Sequence, residues 1–204
     1  MTLEETIEKI QPVDETAMTA AKKHWDSLGK PLGSLGRLEQ AVIQIAGIQR
    51  TGEVHIDRKA LVIMCADNGV VEEGVTQCGQ EVTATVAENF LDEKSCVAIM
   101  CERAHTKICP VDIGMAVDTP RVEKRKIAYG TRNMAKEAAM TREQAIAAIE
   151  VGISKAEQLK AEGYEMLATG EMGIGNTTTS SAMTAVYLEM DVETVTGRGA
   201  GLST

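Results

Sequence analysis

Aromatic side chains are nearly missing from this 204-residue chain, which has one Phe, one Trp and three Tyr. Nucleic-acid platforms that stack bases on such rings are therefore disfavoured. The core has to come from Leu, Ile, Val, Ala and eleven Met. Positive charge is also short: 21 Lys and Arg stand against 30 Asp and Glu, a net charge of -9. That balance repels a polyanionic duplex or an anionic membrane, so any anionic ligand must be held by local groups. The five cysteines, Cys65, Cys78, Cys96, Cys101 and Cys109, contain no C-x-x-C pair and are odd in number, which argues against a zinc site or a disulfide framework. No apolar run approaches the length of a membrane span, and residues 1–10 have neither a basic nor an apolar leader segment. The chain is expected to be soluble and cytoplasmic, with no metal and no cofactor.

Periodicity supplies the organisation. The first fifty residues read as helical: Thr2 and Glu5 stand in capping-box spacing, and the pattern continues through Ala17, Ala21, Trp25 and Leu28 to a stop at Gly29. A Gly/Pro corner over residues 30–37 precedes a second stripe at Leu35, Leu38, Val42 and Ile45. The pattern changes at residues 60–66, a continuous apolar run ending in Asp67-Asn68-Gly69, which predicts a strand buried on both faces. Helices are predicted over residues 81–91 and 95–104, a strand over 108–111 ending in Asp112-Ile113-Gly114, and a helix opened by a Thr141/Gln144 capping box and closed by Gly163. A short strand over residues 166–169 and a helix over 178–188 complete the alternation. The expected fold is α/β, a Rossmann-like parallel sheet flanked by helices with a small helical region at the N-terminus. Residues 1–50 form the helical region and 51–204 the nucleotide-binding domain.

Residues 170–181, Gly-Glu-Met-Gly-Ile-Gly-Asn-Thr-Thr-Thr-Ser-Ser, lie between a predicted strand and a predicted helix. Glycines let backbone N–H groups converge on an anion, the helix adds its positive N-terminal dipole, and the hydroxyls add donors. The segment lacks the G-K-[ST] ending of a triphosphate P-loop and the G-x-G-x-x-G dinucleotide spacing. A plain reading also fits, in which the Thr/Ser run caps a helix and the glycines form a tight turn. Glu171 suits a phosphate nest only if it faces another part of the ligand, such as ribose. A second cluster, Thr196-Gly197-Arg198-Gly199-Ala200-Gly201, offers Arg198 as a fork for carboxylate or phosphate.

Together these clusters resemble the nicotinate-nucleotide:dimethylbenzimidazole phosphoribosyltransferase family of cobalamin biosynthesis. The similarity continues through Lys30-Pro31-Leu32-Gly33-Ser34-Leu35-Gly36-Arg37-Leu38-Glu39, Ala66-Asp67-Asn68-Gly69-Val70, Glu73-Gly74-Val75-Thr76, Glu81-Val82-Thr83, Asn89-Phe90-Leu91, Asp112-Ile113-Gly114 and Gly130-Thr131-Arg132-Asn133. The resemblance implies transfer of phosphoribose from nicotinate mononucleotide to a lower-ligand base, usually dimethylbenzimidazole, giving alpha-ribazole phosphate and nicotinate. It implies a homodimer with small-molecule substrates, no nucleic acid and no membrane. By the same resemblance, Gly173, Gly175, Asn176, Thr177 and Thr178 hold the nucleotide phosphate, and Arg198, Gly199 and Gly201 line the same site. Glu171 supports catalysis beside the ribose or the reacting base. Asp67, Thr76, Cys78, Val86 and Asp112 shape the base pocket.

The chain departs from the family pattern in places. Asn68 stands where the family commonly has histidine, Cys78-Gly79 replaces a common Tyr/Ser-Pro pair, and Asp92-Glu93-Lys94 replaces a small glycine-rich turn. The family's principal catalytic glutamate belongs to a C-terminal glycine-rich segment that no residue here matches. The expectation is a chain that binds nucleotide weakly and is catalytically impaired alone. The alternative is a non-catalytic nucleotide-binding fragment, or a subunit that needs a second polypeptide for that glutamate.

Overall fold

The computed structural model describes residues 1–199, and its chain divides into two compact units, Glu4–Asp57 and Met1–Leu3 together with the residues from Arg58 onward. In the first unit the expected continuous N-terminal helix is two helices, α1 (Leu3–Glu8) and α2 (Glu15–Ser27). Pro12 has no N–H to give a helical ladder, and Asp14 restarts the helix as a cap whose side chain accepts the Ala17 N–H at 2.9 Å. α3 (Arg37–Gln49) packs on α2 through small residues: Ala17, Ala21, Ala46 and Gly47 are buried. A Cβ on Gly47 would sit 2.6 Å from Met18 Cγ, so only glycine permits this approach. The Gly/Pro corner is anchored by Lys30 Nζ on Glu39 Oε1 at 2.7 Å, both little exposed, and Glu39 also accepts the Leu35 N–H.

The second unit is built on four parallel strands, β1 (Lys59–Ala66), β2 (Thr106–Gly114), β3 (Glu123–Lys124) and β4 (Met166–Met172), in the order β3-β2-β1-β4. Helices α4 (Glu81–Phe90), α5 (Cys96–Arg103), α6 (Arg142–Ala161), α7 (Asn176–Leu188) and α8 (Val192–Val195) accompany them. β1 is buried on both faces, as its unbroken apolar run predicts. Ile63 and Cys65 join Ala84, Ala87 and Phe90 of α4, while Ala60 and Val62 meet Cys109, Val111 and Leu159 of α6 on the other side. The capping box forms in full, with Gln144 N–H on Thr141 Oγ1 at 3.2 Å and Thr141 N–H on Gln144 Oε1 at 2.9 Å. Gly163 closes α6 at a φ of 86°.

Some boundaries differ from the sequence reading. β2 extends beyond residues 108–111 at both ends, and β4 runs on through Gly170, Glu171 and Met172, which pair with Ile63, Met64 and Cys65 of β1. The expected twelve-residue loop is therefore the end of a strand, a turn of residues 173–175, and the first turns of α7. Pairing with β1 overrides the weak strand propensity of Ala-Thr-Gly-Glu-Met. A 3-10 helix over Gly69–Glu73, the two-residue β3 and the short α8 have no counterpart in the periodicity.

Candidate functional site

β1 pairs with β4 in unbroken register and with β2 with one shift between Cys65 and Ala66; Ala66 lies opposite Gly114 and Cys65 opposite Met172, so their carboxyl ends stop at one edge of the sheet. The chain leaves β1 for β2 and β3 on one side and later returns to place β4 on the other. The crevice between β1 and β4 is thus the topological switch point, where open α/β sheets take their ligands. Residues 67–69 and the turn of residues 173–175 face each other there.

The turn is held from several directions. A Cβ on Gly173 would run into the Ala66 carbonyl oxygen, and Gly175 caps α7 at a φ of 87° with Val71 Cγ2 3.0 Å from where its Cβ would be. Asn68 Nδ2 donates to Ile174 O at 3.0 Å, and Ile174 N–H donates to Thr83 Oγ1 at 3.0 Å. Asn176 N–H turns back to Gly173 O at 3.0 Å, and Thr178 N–H bonds Gly175 O at 3.2 Å. Among the described residues, the N–H groups of Gly175 and Thr177 have no such acceptor, which leaves two donors at the positive end of a thirteen-residue helix. The Asn176 amide donates to both oxygens of Glu171, at 2.7 and 2.8 Å, and fixes that carboxylate on the exposed rim.

Gly199 comes close to the same helix end: a Cβ there would lie 2.9 Å from Thr177 Oγ1. Ser181 Oγ, on Val195 O at 3.1 Å, helps bring the second glycine cluster back along α7. Arg198 is exposed on this segment, and Gly201 lies outside the described residues.

The residues named for a base pocket differ in their surroundings. Thr76 closes a local turn on Cys78 O at 2.8 Å, Cys78 is exposed, and Val86 packs against the core under α4. Asp67 and Asp112 are fully buried and bind main chain: Asp67 Oδ2 accepts the Ala116 N–H at 2.7 Å, and Asp112 Oδ1 accepts the Met115 N–H at 2.9 Å. Lys126 Nζ approaches Asp112 at 3.3 Å and Asp118 at 2.9 Å while donating to the Met115 and Val117 carbonyls. A separate cavity of about 260 Å³ lies at the ends of β1 and β2, bordered by Ala66, Gly114, Ala128, Met140 and Gln144. None of the candidate site residues named from the sequence lines it, although Ala66, Gly114 and Gly130-Thr131-Arg132 of the resembling segments do.

Burial pushes the Asp67 carboxyl above the ordinary aspartate value, against the Ala116 N–H, the Thr83 hydroxyl and Lys126. Burial likewise pushes the Cys65 thiol up to about 12, so it stays a packed, protonated group. A raised carboxyl pKa means the folded state holds its proton more tightly than the unfolded one. Asp67 therefore contributes a loss of stability as pH rises from the ordinary aspartate range through its raised value. Asp67→Asn keeps an acceptor for Ala116 and removes the charge. Its stability relative to wild type is expected to grow between pH 4 and 7, read by urea denaturation at a series of pH values. A difference independent of pH would show that Asp67 ionises without penalty.

Three residues of the site carried no assigned role in the sequence reading: Asn68, Thr83, and Thr131, whose Oγ1 accepts the Gly69 N–H at 3.1 Å. Their signal was position inside resembling segments. No local property marked them, since a hydroxyl or amide acquires this role only when distant strand ends meet.

A family model described as a phosphoribosyltransferase (DBI_PRT) matches residues 10–204. The chain belongs to this family. A nicotinate-nucleotide–dimethylbenzimidazole phosphoribosyltransferase of Clostridium tetani is 46% identical over 203 residues, covering 98% of this chain and 56% of that protein. The enzyme of the same name from Ruminiclostridium cellulolyticum is 49% identical over 207 residues, covering 100% of this chain and 58% of that protein. Among solved structures, CobT from Thermus thermophilus superposes with a TM-score of 0.87 at 37% identity, covering 92% of this chain and 57% of that one. The chain thus spans a little over half the length of these phosphoribosyltransferases. No helix among the described residues is long and apolar enough to cross a membrane.

Proposed function

We propose that this chain supplies the nucleotide-holding part of a phosphoribosyltransferase that moves phosphoribose from nicotinate mononucleotide to dimethylbenzimidazole or a related lower-ligand base. The observation that carries this reading is the glycine turn at the switch point, opening a helix at whose start the Gly175 and Thr177 N–H groups remain available to an anion. Phosphate would rest on the N–H groups of Gly175 and Thr177 and the hydroxyls of Thr177 and Thr178. Arg198, Gly199 and Gly201 would border the same nucleotide. Glu171, held by Asn176, would face ribose or the reacting base. Residues 73–86 would form the acceptor side, with Asp67 and Asp112 bracing the strand ends around it.

In the reaction, an acceptor nitrogen bonds to the anomeric carbon as the bond to nicotinate breaks. The bonding pair goes to the pyridinium nitrogen, so the ring of the departing nicotinate becomes uncharged and needs no acid. The acceptor's N–H proton must pass to a carboxylate base. In this proposal that base is the glutamate implied by the resemblance, supplied by residues outside this sequence or by a second polypeptide, in an assembly containing two copies of the fold.

The test combines calorimetry with product analysis. Residues 1–204 are expected to bind nicotinate mononucleotide but to form no alpha-ribazole phosphate from it and dimethylbenzimidazole. Adding a polypeptide equivalent to the remaining share of a relative is expected to restore turnover. Absence of nucleotide binding would refute the reading. Turnover by residues 1–204 alone, near the rate of a full-length relative, would refute the need for an added glutamate.

A further inference from the structure

We propose that Asn68 is a positioning residue for the phosphate turn, an inference that rests on the nucleotide reading above. A backbone anion site works only if its carbonyl oxygens point away from the anion while its N–H groups point toward it. In the turn of residues 173–175 the central residue, Ile174, has both main-chain groups engaged by side chains from elsewhere. The Asn68 amide takes the carbonyl at 3.0 Å, and Thr83 on α4 takes the N–H at 3.0 Å. These two bonds fix the rotation of the adjoining peptide planes, and with it the direction of the Gly175 and Thr177 N–H groups.

Asn68 reaches further than Ile174. Its Oδ1 lies 3.4 Å from the Thr179 hydroxyl, whose nearer acceptor is Asn176 O at 2.9 Å, so the same side chain touches the turn and the first turn of α7. Its main-chain carbonyl accepts the Gln80 side chain at 3.1 Å, at the start of α4 in the segment assigned to the acceptor. An amide suits this place because it donates and accepts at once and does not titrate. Asn68 also follows the end of β1 by two residues, so it is anchored by a strand packed on both faces. Rigid support of this kind converts a flexible glycine turn into a preorganised ligand.

The experiment compares affinities for nicotinate mononucleotide and for its phosphate-free riboside by calorimetry, on the full 204-residue chain and its variants. Wild type is expected to favour the nucleotide by about tenfold or more. Asn68→Ala is expected to lose about tenfold in nucleotide affinity, the scale of one net hydrogen bond, while riboside affinity stays within about twofold. Asn68→His, which can still donate from a ring nitrogen, is expected to keep most of the preference. Should Asn68→Ala fail to fold, Asn68→Asp, of the same shape but without a donor when ionised, carries the comparison. A wild type indifferent to the phosphate sinks the phosphate reading and this inference together. A discriminating wild type whose Asn68 variants keep the same ratio, or lose both ligands equally, overturns the role of Asn68 and leaves the phosphate site standing.

Discussion

Gly173→Ala is expected to cost about 3 kcal/mol of stability and to abolish nicotinate mononucleotide binding. The methyl group would be forced against the main chain where β1 ends, at the Ala66 carbonyl, with Asn68 Nδ2 only 3.0 Å away. Neither neighbour is the free end of a flexible side chain. Ala66 is held in the sheet and Asn68 is committed to Ile174. The turn would have to move as a body, taking the start of α7 with it. Gly74→Ala is the control for backbone strain: that glycine needs a left-handed backbone, φ 71°, which Gly173 does not, and nothing lies within 4 Å of its Cβ position. Only strain in the left-handed region is then lost, about 1 kcal/mol. Urea midpoints of the two variants separate packing from backbone strain. Equal losses would mean that the crevice between β1 and β4 is loose enough to admit a methyl group, which the turn geometry denies.

Lys126→Met should be nearly as damaging, by about 3 kcal/mol, because it leaves a buried carboxylate without its counter-charge. Asp112 is fully buried, and its Oδ2 has Lys126 Nζ at 3.3 Å as its charge partner. Burial disfavours the Lys126 ammonium, yet Asp118 and Asp112 outweigh that cost and hold its pKa above the ordinary lysine value. The same ammonium gathers the Met115 and Val117 carbonyls and lies over the Tyr129 ring at 4.0 Å, so it shapes the loop that follows β2. The second substitution Asp112→Asn removes the orphaned charge and should restore much of the loss. A double-mutant cycle reads this as a coupling energy between the two sites. If Lys126→Met and Asp112→Asn add independently, the ion pair contributes nothing beyond its separate parts.

These two residues were legible from the sequence to different degrees. Gly173 stood out because glycine spacing before a Thr/Ser run suggests a turn that approaches a ligand closely. The reason it must be glycine, however, is the carbonyl of Ala66, far earlier in the chain. Lys126 carried no signal at all. It lies among Arg125, Lys124 and Glu123 in a charged stretch that reads as a solvated face, and it is half-buried only because the loop after β2 folds over Asp112. Asp67 and Asp112 were legible as strand-end carboxylates. Their engagement with the Ala116 and Met115 N–H groups depends on how those loops close.

The elements followed the same division. The run of residues 60–66, the Thr141/Gln144 box and Gly163 identified β1 and both ends of α6, because burial on two faces, capping and a left-handed stop each leave a local pattern. The N-terminal helical pattern overruns two helices, because one apolar stripe can span a Pro12 break without losing phase. β3 is two residues long, too short for any periodicity, and exists only as a partner for Val111 and Asp112.

By itself the sequence determined the alternating α/β architecture, the family and the place of the glycine turn between a strand and a helix, since these depend on local pattern and on recognisable segments. Only the tertiary structure decided the strand order, and with it the switch point between β1 and β4. It also shortened the expected glycine loop to the turn of residues 173–175 and showed Asn68 and Thr83 holding Ile174 from opposite sides. The physical reason is that each of these is a pairing between groups far apart in the chain, and hydrogen-bonding capacity, unlike hydrophobic periodicity, leaves no mark of which distant partner will satisfy it.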